Sequence, residues 1–338
     1  MTDAPLIRLE GVSKAFHVGK RTLLQPRAKL HALTDVSLDI PAGPTLGIVG
    51  ESGCGKSTLA RIIVGLTQPD AGTVAFEGND LSGVRRRPAN VVRSLQMVFQ
   101  DPFSALNPRM SVGEAILEPL LFHKVVPKAE ATGERDRLMD LVGLTPSLAR
   151  RYPHELSGGQ RQRVNIARAL SVRPRVIIAD EAVASLDVSV RAQILNLFSD
   201  LRDQLGLTLI FISHDLSVVD HLCDSVAVMY LGRIVEDGPS SILRLGAAHH
   251  YTRGLASAIP QPIPGAPRTQ PAVRGELPSP ISPPSGCGFR TRCPAAQPLC
   301  AQVTPLLGPF AAGRHVACHF PYARPKAAEV LMPARASS

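Results

Sequence analysis

Thr45-Leu46-Gly47-Ile48-Val49, followed by Gly50-Glu51-Ser52-Gly53-Cys54-Gly55-Lys56-Ser57, is the stretch that decides the fold. The first five residues read as a short, buried strand. The next eight fit the phosphate-loop pattern G-x-x-x-x-G-K-S/T. A helical stretch runs on from about residue 56 to 66. Strand, glycine-rich loop and helix in this order form the context that the pattern requires, so the expected class is α/β. Glycines let backbone N–H groups turn inward around a phosphate. Lys56 brings a point charge to the outer phosphates. Ser57 offers a hydroxyl to Mg2+, and the helix N-terminus adds its dipole. Ser52, Gly53 and Thr58 complete the lining expected around a nucleotide. Cys54, at a variable position, reads as filler.

Working outward, three more apolar runs end in polar residues suited to the same ligand. Val176-Ile177-Ile178-Ala179 reads as a buried parallel strand and ends in Asp180 and Glu181. Asp180 is placed to hold Mg2+, and Glu181 to polarise an attacking water as general base. Thr208-Leu209-Ile210-Phe211-Ile212 reads as another strand, and His214 follows it within contact range of a γ-phosphate. Met97-Val98-Phe99 ends in Gln100, which can reach Mg2+ or the attacking water and report nucleotide state. Leu156-Ser157-Gly158-Gly159-Gln160 is a second glycine-rich segment, with Ser157 the N-cap of a helix starting near Gly159. Its hydroxyl and glycine N–H groups offer another anion site. One nucleotide needs one phosphate loop, so a second such segment about a hundred residues away suggests a nucleotide held between two copies of the fold.

The 338 residues carry a net charge of +9, and the charge is uneven. From residue 239 to 338 there are ten Lys or Arg against two Asp or Glu, and 17 of the 30 prolines. No run of five like charges occurs there, and no aromatic interleaving marks a single-strand nucleic-acid platform. No run of 18 apolar residues crosses a membrane, and the N-terminus lacks signal-peptide regions, so a cytosolic setting without disulfides is expected. Residues 6–9 and 32–40 read as strands, with residues 18–30 an exposed loop between them. Residues 80–150 read as mostly helical, broken by prolines. Residues 226–230 and 232–236 read as a closing hairpin, and a helix is expected at about 240–245. Cys223 lies on an apolar-periodic helix and reads as core packing.

These motifs, in this order, resemble the ATP-binding cassette family over residues 5–238. Residues 50–57 look like its Walker A, Gln100 like the Q-loop glutamine, and residues 156–160 like its signature. Residues 176–180 look like Walker B, with Glu181 the catalytic glutamate. Ala184-Ser185-Leu186-Asp187 resembles the D-loop, His214 the switch histidine, and Phe16 the aromatic that stacks on adenine. After the glutamate the family often has Pro-Thr where this chain has Ala182-Val183. The resemblance implies a mixed sheet in a RecA-like lobe, an antiparallel β subdomain and a helical subdomain at about 101–170. It implies ATP and Mg2+, and two cassettes head to tail. Each ATP then lies between Walker A of one cassette and the signature of the other (here Ser157, Gly158, Gly159 and Gln160). The complete signature and Glu181 argue against a non-catalytic cassette.

The tail, residues 239–338, resembles the C-terminal extension of oligopeptide and dipeptide permease ATPases. His249-His250-Tyr251-Thr252, continuing to Ala258-Ile259-Pro260, matches their His-Pro-Tyr-Thr segment with His250 in place of proline. Gly275-Glu276-Leu277-Pro278, Gly286-Cys287 and Arg292-Cys293-Pro294 continue the match. The resemblance implies a peripheral subunit on the cytoplasmic face of the cell inner membrane that energises uptake of di- or oligopeptides, or of nickel or another small solute. The implied partners are two membrane-spanning permeases, an extracytoplasmic solute-binding protein, and a second related ATPase or a second copy of this chain. Nucleic acid is not an expected partner. Cys287, Cys293, Cys300 and Cys318 are spaced C-x5-C-x6-C-x17-C. By residue chemistry alone they fit free thiols, a tetrahedral Zn site or an iron–sulfur cluster. The resemblance favours a 4Fe-4S cluster, with His315 and His319 outside the ligand set.

Overall fold

The computed structural model describes residues 4–19, 27–84, 86–257, 273, 275–311 and 313–322, without the side chains of Arg244 and Leu245. In chain order the elements are β1 (Ile7–Val18), β2 (Ala28–Ile40), β3 (Leu46–Val49), α1 (Lys56–Val64), β4 (Ala71–Phe76), β5 (Asn79–Asp80), α2 (Ala89–Ser94) and β6 (Leu95–Val98). Then come α3 (Val112–Phe122), α4 (Ala131–Leu141), α5 (Gly158–Leu170), β7 (Val176–Asp180), α6 (Val188–Leu205), β8 (Thr208–Ser213), α7 (Leu216–Leu222), β9 (Ser225–Tyr230) and β10 (Arg233–Pro239). The tail adds α8 (Ile242–Leu245), α9 (His250–Ala256), α10 (Pro298–Gln302), β11 (Gly308–Ala311) and β12 (Arg314–Val316).

Two sheets organise these elements. The larger has the order β11-β12-β10-β9-β3-β8-β7-β6, and the smaller, antiparallel one is β2-β1-β4-β5. Pairing is parallel from β9 through β6. Strands buried on both faces must be apolar throughout, and β3, β7 and β8 are buried at every position. Burying a side chain such as Ile212 or Phe211 stabilises by about 1.5–3 kcal/mol, and both are fully buried. Helices α3, α4 and α5 pack together beside the sheet. Pro119 lies inside α3, whose start is fixed by a capping box between Ser111 and Glu114.

The closing hairpin is β9–β10, and the expected helix near 240–245 is α8. Cys223 is buried and packs beside Gly47, as core filling requires. The exposed loop expected at 18–30 is a correction: β1 and β2 extend into it and pair as far as Val18 with Ala28. Polar side chains hide this ribbon from a hydrophobic pattern, because its far end has no core beneath it. Residues 20–26 of that loop lie outside the described residues, as do 258–260 and 323–338 of the tail. Two tail strands were also not expected. They add to the β10 edge, through Glu236 with Val316 and Asp237 with His315.

Candidate functional site

Register brings the site together. Val49 pairs with Ser213, Asp180 with Ile212, and Val98 with Ala179. The phosphate loop, Asp180-Glu181, His214 and Gln100 therefore follow the C-terminal ends of four neighbouring parallel strands, where open α/β sheets bind ligands.

The loop is shaped by glycine where nothing else fits. At Gly50 a Cβ would stand 2.3 Å from the Met229 carbonyl oxygen. At Gly55, the N-cap of α1 with φ 109°, it would stand 2.3 Å from the Ala32 carbonyl oxygen. No side chain caps α1 and no acidic residue lies in its first turn, so its positive end is left to a ligand. Lys56 is 4% exposed. Its Nζ donates to the carbonyls of Gly50 (2.8 Å) and Glu51 (3.0 Å) and lies 3.8 Å from Cys54 Sγ. Among the described residues, no carboxylate pairs with it. Asp180 acts on it only at longer range, and a buried ammonium without a direct ion-pair partner is costly, so the loop is suited to an anion. Cys54 is buried beneath the loop, where desolvation raises its thiol pKa.

Ser57 Oγ donates to Asp180 Oδ1 at 2.9 Å. Burial raises the Asp180 carboxyl above the usual range, and the Ser57 hydrogen bond pulls it partly back. A hydroxyl and a desolvated carboxylate side by side are hard oxygen ligands of the kind Mg2+ takes. Gln100 Nε2 donates to Glu181 Oε2 at 3.0 Å, and His214 Nδ1 lies 3.5 Å from Glu181 Oε1. Glu181 has φ 48°, an uncommon conformation for a residue other than glycine. Its N–H is tied to the Ile212 carbonyl at 3.0 Å. Ala182 and Val183, where the sequence departs from Pro-Thr, are buried in the core.

Ser157 caps α5 as expected, with Gln160 N to Ser157 Oγ at 3.2 Å and Ser157 N to Gln160 Oε1 at 3.0 Å. The helix starts at Gly158, and a Cβ at Gly159 would meet Val190 of α6 at 2.5 Å. Among the described residues, no hydrogen bond joins this segment to the phosphate loop. Phe16 is 39% exposed near the end of β1, opposite Leu30. That strand pair runs beside the loop, since Ala32 of β2 is what crowds Gly55.

In the tail, Cys287, Cys293, Cys300 and Cys318 line one small cavity with His249, His250 and His319. All four are free thiols. Burial raises the thiols of Cys287 and Cys293, and pushes Cys318 up to about 11. Among the described residues, no three His, Cys, Asp or Glu side chains gather closely enough to hold one metal ion. That arrangement matches neither a tetrahedral Zn, whose sulfurs all lie about 2.3 Å from the metal, nor a ready-formed set of iron–sulfur ligands, so the cluster that the resemblance implies is not supported by it. His315 and His319 are engaged elsewhere, with Asp237 Oδ1 (2.7 Å) and the Val303 carbonyl (2.9 Å).

Sequence reasoning missed the ties on Glu51. Its carboxylate accepts from Arg292, and its N–H donates to Tyr251 Oη. A signal was present: an acidic residue inside an anion-binding loop calls for a cation beside it.

Family comparison agrees with this geometry. A model described as ABC transporter matches residues 33–184, and one described as the oligopeptide/dipeptide transporter C-terminal region matches 235–300. The chain is 48% identical to a probable peptide ABC transporter ATP-binding protein, y4tS of Sinorhizobium fredii, over 94% of this chain and 90% of that one. It is 52% identical to the oligopeptide transport ATP-binding protein OppF of Salmonella typhimurium, over 86% and 88%. Among solved structures it is similar to the ATP-binding cassette MJ0796, a dimer in a post-hydrolysis state bound to ADP and Pi. The TM-score is 0.61 at 27% identity, covering 69% of this chain and 98% of that chain. Fold and site thus define an α/β phosphate-loop ATPase of the cassette class. The chain belongs to the ABC transporter family of ATP-binding proteins. No described helix is long and apolar enough to cross a membrane.

Proposed function

We propose that this chain hydrolyses ATP to drive uptake of di- or oligopeptides, or related small solutes, across the bacterial inner membrane from its cytoplasmic face. One observation carries the reading: Lys56 is a buried cation that, among the described residues, forms no direct ion pair, at an uncapped helix N-terminus inside a glycine cradle. A polyphosphate supplies the missing charge. The names of the relatives, peptide and oligopeptide transport proteins, support the substrate class.

In this reading Lys56 neutralises the β- and γ-phosphates, the backbone of residues 50–58 surrounds them, and Phe16 stacks on the base. Ser57, Asp180 and Gln100 would hold Mg2+, which neutralises charge developing on the phosphates. Glu181 accepts the proton of the attacking water, and His214 and Gln100 keep its carboxylate aimed. Ser157, Gly158, Gly159 and Gln160 serve the ATP of a second cassette. That cassette is a related ATPase or another copy of this chain, in line with the dimeric state of the solved cassette.

Two permeases complete the machine, with a solute-binding protein outside. A cavity of about 310 Å3 between the sheet and the helical region is lined by Met97, Phe99, Pro119 and Val172. It lies beside Gln100, carries Asn165 and Arg168 among its lining as well, and suits an amphipathic permease helix, so nucleotide state passes from Gln100 to the membrane subunit. The four cysteines of the extension line one cavity, and a 4Fe-4S cluster with a structural role there rests on the resemblance of the tail alone.

The test is direct. Purified protein should bind MgATP, and Lys56→Ala should lose that binding with its fold intact. A strain lacking the gene should lose peptide uptake and regain it from the wild-type copy alone. Normal ATP affinity in the variant, or peptide uptake that does not depend on the gene, would overturn the corresponding half of the proposal.

A further inference from the structure

Glu51 follows the first glycine of the phosphate loop and is held from three sides. Its carbonyl accepts from Lys56 Nζ, within the loop. The other two ties come from the C-terminal extension. Tyr251, 200 residues away, accepts the Glu51 N–H on its hydroxyl at 2.9 Å. Arg292, 241 residues away, grips the carboxylate with both terminal nitrogens, at 2.7 and 3.0 Å. Two parallel N–H···O bonds fix direction as well as charge. The Arg292 side chain is 8% exposed, so solvent screens the pair little.

The extension presents these groups on a stiff support. Tyr251 is fully buried and packs on Tyr230 and Phe289, with ring centroids 4.6 and 5.4 Å apart. The Arg292 guanidinium lies 5.9 Å from the Tyr230 ring, and its Nη1 is 3.4 Å from the Tyr230 hydroxyl. Its N–H donates to the Phe289 carbonyl at 3.0 Å, in a tight turn.

Two physical needs meet here. A loop with glycines at positions 50, 53 and 55 is floppy unless something outside holds it, and ordering it weakens ligand binding. A carboxylate in that loop also repels the anion the loop is shaped for. Arg292 answers both, neutralising Glu51 and fixing its carboxylate against the extension. We propose that Arg292 and Tyr251 are positioning residues for the phosphate loop. They act through Glu51 to pre-organise the loop and cancel its stray charge, which makes the extension an integral part of the nucleotide site. The inference rests on the reading of residues 50–58 as the ATP cradle.

The test is a charge-rescue series on the full-length protein, read by affinity for a fluorescent ATP analogue and by steady-state kinetics. Melting temperature without nucleotide serves as the check on folding. Arg292→Ala should raise the Kd and KM for ATP about tenfold, which is about 1.4 kcal/mol, with kcat little changed. Such a split marks lost binding rather than lost chemistry. Glu51→Gln alone should shift Kd by no more than about threefold, a few tenths of a decade on the same scale. Arg292→Ala combined with Glu51→Gln should recover part of the lost affinity, because the stray charge is gone while the tie that orders the loop is not restored. If Arg292→Ala does not fold, Arg292→Gln takes its place in the series. Tyr251→Phe should weaken ATP binding by a smaller factor. An unchanged Kd in the arginine variant, or a double variant no better than the single one, overturns the proposal and leaves the pair as a fastening of the tail. Wild-type protein that binds no ATP would instead overturn the reading of the loop.

Discussion

Replacing Gly55 by alanine tests whether backbone space, rather than the lysine alone, makes the phosphate cradle. Gly55 has φ 109°, and an added Cβ meets the Ala32 carbonyl oxygen at 2.3 Å and Leu33 Cδ2 at 2.9 Å. The first contact is to backbone, so it must open from 2.3 Å to at least 3.0 Å by moving β2 or the loop. Strand β2 is held in a sheet, whereas the loop carries Lys56 and Ser57 in its next two positions. The loop moves, and the groups that meet the phosphates move with it. A misplacement approaching 1 Å costs about a hundredfold in rate, so kcat/KM for ATP should fall by about that factor. Gly53→Ala is the matched control. Its φ is 79°, but nothing lies within 4 Å of an added Cβ. Only backbone strain of about 1–2 kcal/mol applies there, and the loss should be about five- to thirtyfold at most. Both variants are measured by steady-state ATPase assay and by titration with a fluorescent ATP analogue. A Gly55→Ala protein with wild-type kcat/KM, or a Gly53→Ala protein that loses more, would refute the crowding argument.

Glu181→Gln keeps an acceptor for Gln100 but removes the base. Hydrolysis should fall about 10²–10⁴-fold, with ATP still bound and a nucleotide-bound dimer accumulating in size-exclusion runs. Unchanged turnover would sink the assignment of the base. Arg314→Met strands Glu236, which is fully buried and accepts from Arg314 at 2.7 Å and from the N–H groups of Ala248 and His249. Leaving a buried carboxylate without its cation costs about 3–5 kcal/mol, visible as a lower urea midpoint and faster proteolysis of the tail; a loss below about 1 kcal/mol would place that pair among ordinary surface bridges. Anaerobically purified protein should be brown and carry iron, and Cys318→Ala should lose both. A colourless, iron-free protein of full activity would remove the cluster from the proposal.

Much of the nucleotide site was legible because its signals are local. Each strand under it is a short apolar run, and each run ends at the residue that matters, as at Asp180 and His214. The Ser157 cap was readable for the same reason, since its partner Gln160 is three residues away. What escaped depends on distant partners. The ties of Glu51 to Tyr251 and Arg292 span most of the chain, and no periodicity encodes them. The ribbon of β1 and β2 past the core escaped because its far residues bury little. Strands β11 and β12 escaped because they are short and lie in a proline-rich context, with Pro309 on the sheet's last strand, where a missing N–H is tolerated. The positive φ of Glu181 has no sequence mark at all, since glutamate is not a residue that usually adopts it.

The joining of β12 to β10 has a consequence for anyone who would cut this chain into modules. A fragment ending after β10 would bare the backbone of Val235 to Asp237, which β12 and Ala317 now cover. It would also uncover the acid of Glu236, which Arg314 now shields. Such an edge is a template for pairing with the next molecule. Trimming the tail to obtain a minimal ATPase should therefore yield a self-associating, poorly soluble product. The working unit for expression, chimera building or transplantation between transporters is the cassette together with its tail.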